Sequence, residues 1–462
     1  MRRTEMVGSA HSGRTETVGS AHPTRVKKKK QSQEHSAEVG RRGDDVRSDC
    51  WVKITLTDGG GIDLDLKSKV ESMYGDSTRQ LIRDELGALG LKNAMVEVDD
   101  RGALPYVIMA RVEAAVRRLG ADVGDGFMPD FAPGTNYATT RDRFRRSRLY
   151  LPGDEPKFML NAGLHGPDAI ILDLEDSVAP SEKDAARVLV RNALRTIDFH
   201  GAERMVRINQ GDRGLEDLDF IAAHNLHVVL IPKAESVDDV RRVDDRISEI
   251  FGIAERKTRA ADLGPRGASQ AVGDPLNPGL AQADACGSGK NTIYLMPIVE
   301  SALGAIRAYE IASASKNIVA LAIGLEDYTA DVGAARTQEG RESFWARSQV
   351  VNAARAAGVQ PIDTVFSDVG DMNGLRESVI EAKALGFDGK GCIHPRQISV
   401  IHEAFAPTEA ELEKAKRIVD AFEEAQKKGI GVVSLGSKMI DPPVVKRAQR
   451  VVRLAGNAAR IA

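Results

Sequence analysis

The chain has 462 residues, 42% hydrophobic and 28% charged, with a formal net charge of -3. That length implies two or three domains, the apolar share is enough for a large core, and the near-neutral balance argues against a polyanion-binding protein. No run reaches the ~18 apolar residues of a membrane span, no apolar stretch follows the basic N-terminus to make a secretory signal, and Cys50, Cys286 and Cys392 form neither a Cys-x-x-Cys pair nor a disulfide framework; no nucleic-acid partner, no membrane partner and a cytoplasmic location are expected.

Residues 1–30 hold a net charge of +6 against -9 for the remainder, with a direct repeat, RTEMVGSAH at 3–11 and RTETVGSAH at 14–22, before the Lys27–Lys30 run. Almost nothing here can build a core, so residues 1–44 are expected to be a disordered basic tail; a basic arm for RNA or membrane is the alternative. Residues 45–122 read as a small α+β domain. WVKITLT (51–57), IDLDLK (62–67) and AMVEVDD (94–100) alternate as strands, and DSTRQLIRDELGALG (76–90) has helical spacing with Asp76 as a possible N-cap. VIMARVEAAVRRLG (107–120) completes the domain as a helix. The Gly- and Pro-rich stretch 123–142 reads as a linker, and 259–291 as an inserted loop.

From 143 to 462 the pattern changes. Eight apolar runs, starting at 148, 169, 204, 227, 292, 318, 360 and 389, alternate with helix-like stretches. Continuous apolar runs suit strands buried on both faces, and eight such units predict a (β/α)8 TIM barrel; a doubly wound open sheet is the competing architecture. In a barrel, chemistry sits at the C-terminal strand ends. Those ends carry Gly153, Glu175 with Asp176, Arg207 with Asn209, Lys233, Glu300, Glu326 with Asp327, Asp363 and His394.

Glu300 and Asp327 close successive strands, and neighbouring strands lie ~4.8 Å apart. Two carboxylates plus water and substrate oxygens is how Mg²⁺ is usually held; acids bridged to rim arginines are the other reading. Arg207 suits a substrate carboxylate bidentately, or a salt bridge to Glu175 or Asp176. His394 before Pro395 can equally be packed structure. Asp441, directly before two prolines, reads from composition as a turn or helix-start residue.

Residues 145–455 resemble the citrate lyase beta subunit, within the CoA-thioester lyases and aldolases. The matching stretches run in order: RRSRLYLPG, ILDLEDSVAPSEKDAAR, VRIN, IPKAES, PIVESALG, LAIGLEDYTAD, GFDGKGCIHPRQI, APTEAELEKA and GVVSLGSKMID. Residues 45–120 resemble the citrate lyase gamma subunit, an acyl carrier, through KSKVESMYGDSTRQLI, VEVDDRGAL and the ARVEAAVRR helix. The resemblance implies a carrier fused to its lyase. It implies that Glu300 and Asp327 ligate Mg²⁺, with Glu300 also contacting substrate, that Arg207 grips the substrate carboxylate, and that Arg146 lies near substrate or thioester phosphates. It also implies that Asp441 enters a neighbouring subunit's site in a trimer, as the group moving a proton.

The carrier departs from its family in one place. The family's Gly-x-x-x-Ser-x-Asp serine bears a phosphoribosyl-dephospho-CoA arm; aligning Gly43 and Asp49 puts Arg47 at that serine, with Ser48 one residue later. Either Ser48 is modified in a shifted register, or the carrier is unmodified and the lyase acts on free CoA thioesters. The second is preferred, because an arginine cannot accept the phosphodiester link.

The expected reaction is cleavage of a citryl thioester to oxaloacetate and an acetyl thioester, in a homo-oligomer and alongside an alpha-type transferase subunit. The alternatives are a malyl- or methylmalyl-CoA lyase, a related thioesterase, and a non-catalytic assembly subunit with a degenerate carrier.

Overall fold

The computed structural model describes residues 35–120, 126–262, 292–427, 433–435 and 438–458. The first part is a four-stranded sheet of β1 (Ser36–Gly40), β2 (Cys50–Leu56), β3 (Ile62–Ser68) and β4 (Ala94–Asp100), in the order β1-β2-β4-β3. β3 and β4 are parallel and the other pairs antiparallel. Helices α1 (Glu71–Ala88) and α2 (Pro105–Arg118) cover it. Alternation along β2 and β4 turns Val52, Ile54, Val96 and Val98 into the core with Ile82, Leu86 and Val112 from the helices.

Two expectations need correction. β1 lies inside the segment expected as tail; a short edge strand with only Val39 buried offers too little alternation to be seen in sequence. Gly40 ends it at φ +92°, so close to the Cys50 carbonyl that a side chain there would collide. Asp76 is not an N-cap either: α1 starts at Glu71, and Asp76 sits exposed within it, 3.6 Å from Arg79.

The second part is a closed barrel of eight parallel strands. They are β5 (Ser147–Pro152), β6 (Ala169–Asp173), β7 (Glu203–Arg207), β8 (Val228–Ile231), β9 (Tyr294–Val299), β10 (Ala320–Ile323), β11 (Gln360–Asp363) and β12 (Gly389–Cys392). β12 pairs with β5 to close the ring. The two-residue period explains why the runs are apolar throughout. Ala169, Ile171, Met205, Val228, Leu230, Met296, Ile298 and Ile362 fill the interior, while Ile170, Leu172, Val206, Val229, Leu295 and Leu321 pack outward against helices.

The helices that position the rim are α3 (Lys183–Thr196), α4 (Gly211–Ile221), α5 (Val237–Asp262), α6 (Leu325–Asp331), α7 (Phe344–Ala357), α8 (Met372–Leu385) and α9 (Arg396–Phe405). After them come α10 (Glu409–Lys427), the antiparallel pair β13 (Val433–Leu435) and β14 (Lys438–Ile440), and α11 (Pro442–Ala458). No described helix is long and apolar enough to cross a membrane.

The expected linker is anchored structure where it is described. Tyr137 donates its hydroxyl to Ala202 O at 2.7 Å, Arg204 lies over the Tyr137 ring, Arg195 lies over Phe131, and Thr135 is fully buried. Glycine and proline exclude regular structure but not packing, so composition alone misread this strap. The expected insertion at 259–291 is helical through Asp262 and from 263 lies outside the described residues, as does most of the expected tail.

Candidate active site

β6 and β7 are neighbours, and their register sets Asp173 opposite Arg207. Asp173 accepts from Arg207 Nε and Nη2, both at 2.7 Å, a bidentate pair at the C-terminal rim. Nη1 is turned to Glu175 Oε2 at 2.9 Å and Asp176 at 3.4 Å, and the Tyr150 ring lies beneath at 5.5 Å. Burial works against every charge here. For Asp173 the bonds and charge of Arg207 more than offset it, and the carboxyl stays below the usual range. For Glu175 burial wins and raises it, although Gln210 donates to Oε1 at 2.6 Å. Lys183 fixes the loop by donating to the Glu175 carbonyl and to Asn209 Oδ1. The salt-bridge reading of Arg207 is therefore present, with Asp173 taking the fork and one guanidinium nitrogen facing two further acids.

Across the mouth, Glu300 follows β9 and Asp327 lies in the first turn of α6, which starts directly after β10. β9 and β10 are adjacent, in register at Val299 and Ile323. Gly324 makes room for the acid: a side chain there would stand 2.5 Å from Glu300 Oε1. Lys233, beyond β8, joins the two carboxylates. Its main-chain N–H donates to Glu300 Oε2 at 2.9 Å, and its ammonium lies 3.1 Å from Asp327 Oδ1. Lys233 holds φ +46°, a left-handed conformation that a lysine adopts only under local constraint. Burial, reinforced by the charges of Glu175 and Asp327 and opposed by the Lys233 N–H and Arg207, pushes Glu300 up to about 7.

Glu300 and Asp327 fit a divalent cation. A desolvated carboxyl raised by neighbouring acids is one that a further positive charge would ionise. The described residues contain no group of three or more His, Cys, Asp or Glu that could hold a metal, so these two would leave most of the coordination shell to water and substrate oxygens, as Mg²⁺ commonly requires.

Other expected site residues fall elsewhere. Arg146 precedes β5, which puts it at the N-terminal end of the barrel, away from the rim. There Asp168 takes its Nε, Nη2 and main-chain N–H, all at 2.8 Å, and this corrects the expectation that it lies near substrate or thioester phosphates. Asp363 is fully buried, held by Lys390 at 2.8 Å and Arg347 at 3.1 Å, and is no free rim acid. His394 accepts the Arg396 N–H in a turn. Asp441 accepts from the Val444 N–H and opens α11; none of its described contacts is with Arg207, Glu300 or Asp327. A cavity of about 710 Å³ beside α6, reaching Glu326, Arg336 and Thr364, includes neither Arg207 nor Glu300 in its wall. Sequence reading had put Lys233 on the rim without a role, because a positive φ in a non-glycine residue leaves no trace in composition.

In the first domain, Ser48 is half-buried at φ +56° with its N–H given to Arg101 O at 3.2 Å, and Arg47 is exposed. Asp49 is buried in a bidentate pair with Arg111, both bonds at 2.9 Å, and Arg111 also donates to Asp154 O in the loop after β5. Arg47 has no hydroxyl to take a phosphodiester, and Ser48, the alternative, adjoins Asp49 in a loop that Arg111 bonds to the barrel, which fits a phosphoribosyl-dephospho-CoA arm poorly.

Residues 146–395 match the family model described as HpcH/HpaI aldolase/citrate lyase. The chain belongs to that family. Residues 42–119 match the model of an acyl carrier, described as malonate decarboxylase delta subunit. The chain is 38% identical over 320 residues to the citrate lyase subunit beta of Haemophilus influenzae, covering 69% of this chain and 99% of that protein. It is 31% identical over 358 residues to the mitochondrial citramalyl-CoA lyase of Mus musculus, covering 75% and 95%. Among solved structures it is similar to the Mycobacterium tuberculosis protein CitE in complex with magnesium, acetoacetate and coenzyme A, with TM-score 0.49, 30% identity, and coverage of 69% of this chain and all of that one. As a citrate lyase beta-like member of this family, the chain is a carbon–carbon lyase.

Proposed function

We propose that the chain cleaves a citryl thioester to oxaloacetate and an acetyl thioester. The observation that carries this is the pairing of Glu300, directly after β9, with Asp327, in the first turn of α6 beyond β10, both bonded to Lys233 and faced by Arg207. Glu300 and Asp327 would hold Mg²⁺, which supplies Lewis acidity for a hydroxyl that must lose its proton and for the ketone that forms. Arg207, oriented by Asp173, directs a charged N–H edge into the mouth for a substrate carboxylate. Lys233 holds both acids, Glu300 through its main-chain N–H and Asp327 through its ammonium. Proton transfer to the departing enolate falls to Asp441 of a neighbouring copy; the described contacts of Asp441 lie at the start of α11 and not with Arg207, Glu300 or Asp327 of its own chain. Formation of the thioester from citrate is left to a transferase subunit.

A second reading, a lyase of citramalyl- or malyl-CoA, keeps the same residues and differs in the group that fills the mouth. It is favoured by the 31% identity to a citramalyl-CoA lyase. A coupled assay with Mg²⁺ and free (S)-citryl-CoA, with citramalyl-CoA and malyl-CoA in parallel and EDTA as control, separates the two. Magnesium-dependent oxaloacetate release is the expected result; cleavage of only the other thioesters moves the chain to the second reading.

A further inference from the structure

Helix α2 belongs to two cores at once. Ile108, Val112, Ala115 and Val116 pack with the small sheet, while Tyr106, Val107 and Ala110 join the barrel's core; Ala185 of α3 is in turn part of the small domain's core. From Tyr106 to Val116 every residue of the helix is buried. A domain that travels needs a surface complete by itself, and this helix has none.

Charged groups tie the same face at each end. Glu113, 1% exposed, takes both Arg191 guanidinium nitrogens, at 3.1 and 2.5 Å, and Asn192 donates to Tyr106 O at 3.1 Å. Arg118 forks onto Asp184, both bonds at 2.8 Å, and donates to Ser181 O. Arg111, 2% exposed, spans Asp49 and Asp154 O, and Arg41 pairs with Asp154 and Glu155. The Glu113–Arg191 and Asp49–Arg111 pairs are buried, and such charges are stable only while both partners stay in place, whereas the Arg118 and Arg41 pairs lie nearer the surface and add little.

The attachment also has a position. Asp154 and Glu155 follow Gly153, whose N–H bonds to Asp173 O at 2.8 Å, and Asp173 is the acid that orients Arg207. The loop 41–49 therefore stands one turn of chain from the rim.

We propose that the small domain is a fixed wall of the lyase and not a travelling carrier, and that the acyl group arrives on a free, diffusible coenzyme A thioester. The substrate half of this inference rests on the lyase reading; the fixed attachment does not. The test uses the full chain with Arg118→Cys and Asp184→Cys in a Cys286→Ser background, joined by a short bis-maleimide, with the unjoined variant as control. Three readouts are taken: turnover of free citryl-CoA and citramalyl-CoA, the intact mass of the native protein, and hydrogen exchange of α2 against α3. The expected result is turnover within about twofold of the control, a mass equal to the unmodified chain, and α2 amides as slow as those of α3. A tenfold or greater loss on joining, an added mass on Ser48, or fast exchange confined to residues 36–118 overturns it. If the control itself cleaves neither thioester, the lyase reading fails, and exchange and mass still decide whether the wall is fixed and unmodified.

Discussion

Lys233 and Asp327 stand 3.1 Å apart, ammonium to carboxylate, while the same lysine's main-chain N–H reaches Glu300. The lysine touches both acids from a left-handed backbone conformation, φ +46°. The lysine ammonium goes to Asp327 and not to Glu300, which burial leaves raised to about 7, and these two acids are the pair proposed to hold the metal. Chelation is therefore expected to abolish turnover. Glu300→Gln and Asp327→Asn should each weaken Mg²⁺ binding by about tenfold or more, read by isothermal titration. Without metal, Glu300→Gln should melt no lower than the parent, since the amide removes a buried charge; a lower melting temperature would mark Glu300 as structural.

Arg207 serves two partners, and substitutions can separate them. Arg207→Lys keeps the charge but not the fork, and kcat/KM is expected to fall about 100-fold, roughly 2–3 kcal/mol. Arg207→Met leaves Asp173 buried and unpaired, so stability should drop by about 3–5 kcal/mol. Adding Asp173→Asn to Arg207→Met should restore the melting temperature without restoring turnover. Recovery of both would show that the arginine only supports the fold.

How much of this could be read in advance follows from what each feature depends on. The barrel was legible because strands buried on both faces must be apolar along their whole length, and each of the eight runs overlaps one strand, with β5 and β7 starting one residue earlier. The rim positions of Glu300, Asp327 and Arg207 were legible because each lies at or near the end of such a run. Arg146 was misplaced because a motif gives a residue's neighbours in sequence and not which end of the barrel it occupies; lying before β5, it must sit at the opposite face. That the acids of 173–176 could back Arg207 was legible from LDLED, but which of them takes the fork, the φ of Lys233 and the shared burial of α2 depend on contacts between segments far apart in sequence, which no local pattern records.

Glu85 of α1 provides a pH test of the small domain. Burial first, and the charge of Glu113 second, raise it to about 8, with Arg191 acting in the other direction. In the unfolded chain a glutamate titrates near ~4.3. The fold therefore loses stability as pH rises from there towards 8, where the buried group is forced to ionise. Glu85→Gln should leave stability nearly unchanged at pH 4.5 and raise it at pH 8 by on the order of 2 kcal/mol, with the melting temperature moving in the same direction. Thermal melts across that range read it; equal shifts at both ends would mean that Glu85 is neutral-insensitive packing.

Asp441 can be assigned to its own barrel or a neighbour's by complementation. Asp441→Asn and Arg207→Met variants should each be nearly inactive, by loss of the proton-transfer group and of the carboxylate grip. Suppose that Asp441 acts across a subunit boundary in a cyclic assembly. Then co-refolding the two in equal amounts creates sites with an intact Arg207 from one chain and an intact Asp441 from the next. Random mixing gives about a quarter of all sites this pairing, so about a quarter of the parent's turnover should return. Were Asp441 to act within its own chain, every site in the mixture would lack one of the two groups, and turnover would stay at the level of the separate variants. Because Arg207→Met alone leaves Asp173 buried and unpaired, that variant also carries Asp173→Asn, and size is the control: the mixed and separate variants should elute alike.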